Sequence, residues 1–334
     1  MRIGLVGTGR IGHAHAAAVS ARPEVEELVL ADADPERARG TALRVGGRAV
    51  ERVAELFHPG TVDALIITAA TDAHPDLILA GVRAGLPVFC EKPVASTVTE
   101  TVRVRDEVED AKAQVHIGFM RRFDAGYLRA HEAVHSGELG DVHRIHAVTC
   151  DMAPPPAEYV GTSGGIFRDC HVHDFDILRW LTGREVAEVY AHGANRGADY
   201  FTEAGDVDTT AAVLRLDDGT LVTLQGSRYN GGGYDVRMEV AGSRATIAVG
   251  LDDRAPLRSA EAATAFPGQA PWEEYWSRFT PAYEAEISAF TAMVRDGGPS
   301  PCTVSDALEA VLVADAADLS RREHRPVRVA EVRP

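Results

Sequence analysis

The chain has 334 residues, too many for one ordinary domain and suited to two. At 45% hydrophobic and 25% charged it has a globular composition, and no apolar run approaches the roughly 18–20 residues of a membrane span. A formal net charge of −16 opposes nucleic-acid binding, and the pair Arg121–Arg122 is too small a basic feature to offset it.

The N-terminal stretch MRIGLVGTGR has no signal-peptide layout and runs directly into a strand pattern, which points to the cytoplasm. Cys90, Cys150, Cys170 and Cys302 lack CxxC spacing, so neither disulfides nor a closed zinc site is expected. Residues 3–6, IGLV, form a buried-strand run that leads into Gly7-Thr8-Gly9-Arg10-Ile11-Gly12 and a helical pattern. Gly7 permits a tight turn, Gly9 lets a pyrophosphate approach the backbone, and Gly12 lets helix and strand pack closely. The N–H groups at the helix start then face the phosphates. Asp32 closes the next strand, ELVLAD, where its carboxylate would accept hydrogen bonds from a ribose 2′-OH and repel a 2′-phosphate. This favours NAD, with Arg37 and Arg39 near enough to leave NADP open.

Residues 62–70 read as a parallel strand, DAHPDLILAGVRAG as a helix and LPVFC (86–90) as the next strand. The alternation fades after QVHIG, placing a dinucleotide-binding domain at 1–119 and a substrate and oligomerisation domain at 120–334. Glu91-Lys92-Pro93 follows LPVFC at a strand's carboxyl end, where a nicotinamide would lie. The alternative is an exposed turn with Pro93 setting the backbone. Ala69, His74, Glu91 and Lys92 thus join Gly7, Gly9, Arg10, Ile11, Gly12 and Asp32 as cofactor candidates, and His15 falls on a nearby helix.

Arg121, in FMRRFDAGY, is a candidate contact to cofactor or substrate, and Arg122 is expected to pair with an acid such as Asp124. DVHRIHAVTC (141–150) alternates as a strand, and two more flank Asp217-Asp218-Gly219, a hairpin signal. A further pair turns at Ala241-Gly242-Ser243, and the chain ends in an amphipathic helix and a strand. The sum is a chiefly antiparallel open sheet whose second face needs cover, supplied by pairing of subunits. Residues 149–163 have no periodic pattern and read as a stiff loop with three consecutive prolines.

Asp169, Cys170, His171, His173, Asp174 and Asp176 crowd into GGIFRDCHVHDFDILRW. On a helix Asp169 and His173 share a face, while His171 points elsewhere, and no downstream ligand set supports a metal site. Oxidation of a secondary alcohol needs a base and a cation beside the developing alkoxide. His173 suits the base, Lys92 the cation, and Asp169 can orient the imidazole or bond the substrate. The bland alternative makes His173 a helix-terminal histidine satisfied by Asp176 and Asp169 a cap. Cys170 and His171 are assigned to packing or the pocket rim.

GTGRIG, VFCEKPVAS, HIGFMRRFDAGY and GGIFRDCHVHDFDILRWLTG, in this order, resemble the Gfo/Idh/MocA family of oxidoreductases, and within it inositol 2-dehydrogenases, from Ile3 to about Val329. The resemblance implies an N-terminal doubly wound Rossmann sheet followed by an α/β domain with a large open, chiefly antiparallel sheet. It implies NAD(P)-dependent oxidation or reduction at a cyclitol or sugar hydroxyl in a homodimer or homotetramer. His173 would be the acid/base, Lys92 and Asp169 its partners, and His74 would help shape the nicotinamide pocket. Inositol dehydrogenases often carry arginine-aspartate-proline where this chain has Cys150-Asp151-Met152, and a lysine or arginine near Gly161-Thr162. Asp151 stays a substrate candidate, as does Tyr234 in GGGYD, whose alternative is cross-strand packing. The expected substrate is inositol; a sugar or glycoside dehydrogenase of the same family, or a non-catalytic NAD-binding protein, are the rivals.

Overall fold

The computed structural model describes residues 1–262 and 264–334. The chain divides into two compact units, one of Met1–Met120 with Tyr283–Leu308, the other of Arg121–Ala282 with Glu309–Pro334.

In the first unit a parallel sheet runs in the order β3-β2-β1-β4-β5-β6. Its strands are β1 (Arg2–Val6), β2 (Glu27–Ala31), β3 (Arg48–Ala49), β4 (Ala64–Ile67), β5 (Val88–Glu91) and β6 (Val115–Gly118). Four helices alternate with them: α1 (Arg10–Ser20), α2 (Pro35–Val45), α3 (His74–Arg83) and α4 (Val98–Asp110). Strands covered on both faces need apolar residues at every position. Accordingly β4 and β5 are buried throughout, although each is shorter than the apolar run that signals it. Strand order reverses at β1, between β2 and β4, which places the loop after β1 at the switch point of the sheet.

A later segment of the chain returns to this unit. Ile287, Phe290 and Met293 of the helix Tyr275–Asp296 enter the core with Ile3, Leu5, Leu30, Ile66 and Phe89. The Ile117 amide donates to the Cys302 carbonyl at 2.9 Å, and Ser305 donates to Glu109 at 2.6 Å. An apolar helix face 170 residues downstream in sequence is thus buried against the dinucleotide sheet, a long-range contact that no local pattern announces.

The second unit is built on a seven-stranded sheet, ordered β12-β11-β7-β10-β9-β8-β13. These strands are β7 (Val142–Cys150), β8 (Val186–Ala194), β9 (Thr209–Leu216), β10 (Leu221–Ser227), β11 (Asp235–Gly242), β12 (Thr246–Val249) and β13 (Val327–Arg328). β10 and β7 pair in parallel, and the other neighbours pair antiparallel. The β9–β10 hairpin turns at Asp217-Asp218-Gly219, where Gly219 takes a φ of 94°. The β11–β12 turn comes later than its expected place, since β11 continues through Gly242. Along β9 burial alternates residue by residue, and Tyr190, Val213 and Leu221 leave apolar surface exposed on the sheet.

Helices α5 (Ala125–His135), α6 (Ala157–Val160), α7 (Val172–Thr182), α8 (Tyr200–Glu203), α9 (Tyr275–Asp296) and α10 (Val304–Glu323) complete the chain. The segment 149–163, expected to be a plain loop, contains the end of β7 and the short α6. Among the described residues no helix is long and apolar enough to cross a membrane. Replacing Phe290, fully buried in the first unit's core, by alanine should destabilise that unit by about 3–5 kcal/mol in chemical denaturation, the usual cost of emptying a buried aromatic site. A change below 1 kcal/mol would contradict the assignment of Tyr283–Leu308 to this core.

Candidate active site

The glycine loop after β1 is shaped by steric necessity. Gly7 has a φ of +93°, and a Cβ there would clash with the Ala69 backbone. A Cβ on Gly12 would run into the Gly7 carbonyl, whereas one on Gly9 would meet nothing within 4 Å. The Thr68 hydroxyl braces the loop by donating to the Gly7 carbonyl at 2.6 Å. Gly9 caps α1 without any side-chain bond, and no acid stands in the first turn. Arg10, Ile11 and Gly12 therefore begin a helix whose first amides lack intrahelical partners, an arrangement that fits a pyrophosphate.

Asp32 follows β2 and is nearly buried. Its Oδ2 accepts from the Thr8 amide at 2.6 Å and the Thr8 hydroxyl at 2.9 Å, and its Oδ1 from the Asp34 amide at 2.9 Å. Arg37 lies on the same Oδ1 at 2.9 Å. Burial alone would raise this carboxyl, but the Asp34 and Thr8 bonds together with Arg37 hold it below the usual carboxylate range. Arg39 is turned to Glu51, at 2.5 Å, and to Glu36. Neither arginine stands apart from a carboxylate as a ready phosphate ligand.

Glu91-Lys92-Pro93 leaves the end of β5 with a cis Lys92–Pro93 peptide. The nearly buried Glu91 meets His15 Nε2 at 2.6 Å, a contact that anchors the strand end to α1. His74 Nδ1 lies 2.7 Å from the Pro93 carbonyl and Nε2 lies 3.0 Å from the Ala69 carbonyl. His15 and His74 thus fix the strand ends that carry Ala69 and the half-buried Lys92.

In the second unit, Asp169 sits in a π-helical turn, Phe167–His171, that leads into α7 with His173 in its first turn. Irregular turns of this kind are frequent at functional sites. Asp169 Oδ2 accepts from Arg228 Nη2 at 2.7 Å and Oδ1 accepts from the Tyr159 hydroxyl at 2.8 Å. Arg228 Nη1 in turn donates to Asp151 Oδ2 at 2.9 Å, and the Cys170 thiol lies 3.8 Å from that same oxygen. Arg228 and Tyr159 were not legible as site residues: their only signal is a lone arginine after β10 and a tyrosine in a proline-rich segment.

Two more arginine–aspartate pairs flank this turn. Arg122 donates to both oxygens of Asp176, at 2.9 and 2.6 Å, and not to Asp124 as expected. Asp124 instead caps α5 and takes Arg278 at 2.7 Å. Arg121 is buried and donates to Asp174 at 2.5 Å and to Thr149 at 3.2 Å, so its charge is spent inside the unit. His171, expected at packing positions or the rim, is wholly buried, with Nδ1 at 2.8 Å from Asp174 and Nε2 at 2.8 Å from the Thr210 hydroxyl. Burial would push the Asp174 carboxyl up; Arg121, His171 and Thr149 outweigh it and hold the group below the usual range. Tyr234 is buried with its ring edge-on to Phe279, and burial pushes its phenol up against the pull of Arg121. Among the described residues no three histidine, cysteine or acidic side chains gather as a metal-holding group.

Residues 1–119 match the model of an oxidoreductase family with an NAD-binding Rossmann fold, and residues 127–248 match the GFO/IDH/MocA C-terminal domain. The chain belongs to the Gfo/Idh/MocA oxidoreductase family. Myo-inositol dehydrogenase Hyg17 of Streptomyces leeuwenhoekii is 38% identical over 96% of this chain and 97% of its own length. A crystal structure described as a putative myo-inositol dehydrogenase from Sinorhizobium meliloti superposes with a TM-score of 0.91 at 34% identity, covering 98% of this chain and 99% of that one. The scyllo-inositol dehydrogenase of Lactobacillus casei, solved with NAD(H) and scyllo-inositol, gives 0.88 at 26% identity, covering 99% of each chain. As a Gfo/Idh/MocA member, the protein is an NAD-dependent oxidoreductase acting on CH–OH donors.

The depressed Asp174 carboxyl fixes a pH dependence. Its stabilising contribution is complete above the ordinary carboxylate range and disappears as pH falls through the lower folded value. Asp174→Asn should therefore cost about 3–5 kcal/mol near pH 7, where it breaks a buried ion pair. Denaturation midpoints of variant and parent should converge as pH drops below about 4. A gap that stays constant with pH would reject the ion-pair assignment.

Proposed function

We propose that the protein oxidises a ring secondary hydroxyl of a cyclitol, with myo-inositol going to its 2-keto form as the leading reaction. Full-length likeness to proteins named as inositol dehydrogenases supports this reading, and one observation carries it: Lys92, Asp169 and His173 are all present, with Asp169 held by two hydrogen bonds in an irregular turn just before His173. NAD, which the loop from Gly7 to Gly12 and Asp32 would hold, would supply the acceptor for the hydride of the carbinol carbon. The chain's own groups manage the oxygen. His173 takes the hydroxyl proton while the C–O bond becomes a carbonyl, and the Lys92 ammonium steadies the negative charge that builds on that oxygen. Asp169 orients the imidazole or accepts a bond from a neighbouring substrate hydroxyl. Asp151 and Tyr234 are the proposed further contacts to the polyol; Arg121, closed on Asp174 and Thr149, is not among them.

A second reading is a sugar or glycoside dehydrogenase. The departures at Cys150 and Gly161-Thr162, which remove donors from the polyol side, favour keeping it. In either case we assign the protein to the cytoplasm, in keeping with its four cysteine thiols, and to a homodimer or homotetramer. The exposed Tyr190, Val213 and Leu221 on the second unit's sheet support pairing through that face.

A panel of inositols, monosaccharides and glycosides assayed with NAD and NADP tests the proposal. Myo-inositol with NAD should give the highest kcat/KM; a pyranose or glycoside turned over faster, with inositol inert, overturns the cyclitol assignment. Lys92→Ala and His173→Ala should each lower kcat at least about a hundredfold, the usual scale for acid–base groups. Near-normal turnover in either variant rejects its role.

A further inference from the structure

Among the three buried arginine–aspartate pairs around α7, one differs in kind. The carboxylates of Asp174 and Asp176 are each about 1% exposed, sealed inside the unit, whereas that of Asp169 keeps 12%. Arg122 closes on a single carboxylate through two bonds. Arg228, only 3% exposed, instead divides its two terminal nitrogens between two carboxylates from separate segments, Asp151 just past β7 and Asp169 in the π turn. The Arg228 amide donates to the Asp208 carbonyl at 2.7 Å, so the backbone that carries the guanidinium is itself tied down.

We propose that Arg228 is a positioning residue for the oxidation: anchored on Asp151, its guanidinium keeps the Asp169 carboxylate ionised and in one orientation, while Tyr159 holds the other oxygen. Asp151 then serves first as the anchor of Arg228 and only second as a polyol contact. The inference rests on the reading of Asp169 as a partner in proton handling. An ionised carboxylate carries about four acceptor sites, more than these two bonds use. Charged and titratable groups facing Asp169 include Arg228, Tyr159, Cys170 and, across the guanidinium, Asp151. The Tyr159 phenol is pushed well up by burial and by Asp169, as a donor to a fixed anion should be.

The test is the pH profile of kcat/KM with inositol and NAD for Arg228→Met, Arg228→Lys, Asp169→Asn and the double variant Arg228→Met/Asp169→Asn, each checked for NAD binding and melting temperature. Arg228→Met should lower kcat/KM at least about tenfold, the lower range for groups supporting a catalytic ligand. Its acidic limb should move up by about one pH unit, because loss of a neighbouring cation raises whichever of Asp169 and His173 sets that limb. Arg228→Lys, which retains the charge, should restore the limb and part of the rate. The double variant should be no worse than Asp169→Asn, as expected for residues acting as a unit.

If Arg228→Met fails to fold, Arg228→Lys carries the test: a reduced rate with a parental acidic limb supports the assignment, and a parental rate overturns it. An inactive Asp169→Asn beside an Arg228→Met profile like the parent's refutes the Arg228 role alone. A fully active Asp169→Asn refutes the reading on which it rests.

Discussion

A buried carboxylate needs a cation, and this requirement organises the second unit. Asp169, Asp174 and Asp176 lie within eight residues, and each receives a buried arginine from elsewhere in the chain: Arg228, Arg121 and Arg122. Removing any partner would leave a charge out of water without compensation, so the three pairs fix the π turn and the start of α7 as one rigid piece. His171 adds a fourth tie by linking Asp174 to Thr210 on β9. His173 sits inside that clamped segment, in the first turn of α7.

The first unit solves a different problem, that of bringing backbone close to a large anionic cofactor. It does so with absence rather than charge: two glycines that tolerate no Cβ and one that leaves open space above the N-terminus of α1. Polar side chains brace the scaffold around this opening. Thr68 holds the loop, Thr8 and Asp34 hold Asp32, and His15 and His74 hold the ends of β4 and β5. Lys92 follows directly on the buried Glu91 and so inherits a fixed backbone.

Much of this was legible because its signals are local. The strand, glycine loop, helix and terminal acid of the dinucleotide unit lie within about thirty residues, and each has a steric or electrostatic meaning at its own position. The β9–β10 hairpin was equally plain from Asp217-Asp218-Gly219. What escaped was long-range. Asp124, two residues from Arg122, was the obvious acid, yet the true partner, Asp176, lies 54 residues away. Arg228 meets Asp169 across 59 residues, and nothing in its own neighbourhood marks it. The return of Tyr283–Leu308 to the first unit and the π turn at Phe167–His171 are likewise products of packing, since an amphipathic pattern does not say which sheet it will cover.

We propose that the arginine–aspartate clamps supply rigidity and that His173, which sits among them, handles the proton with Lys92 as its cation. A crystal structure of the complex with NADH and a bound inositol tests this most directly. Lys92 Nζ and one nitrogen of His173 should both lie within about 3.2 Å of a single carbinol oxygen, the reach required for proton transfer. Contacts to different oxygens, or a carbinol that only one of the two can touch, would contradict it.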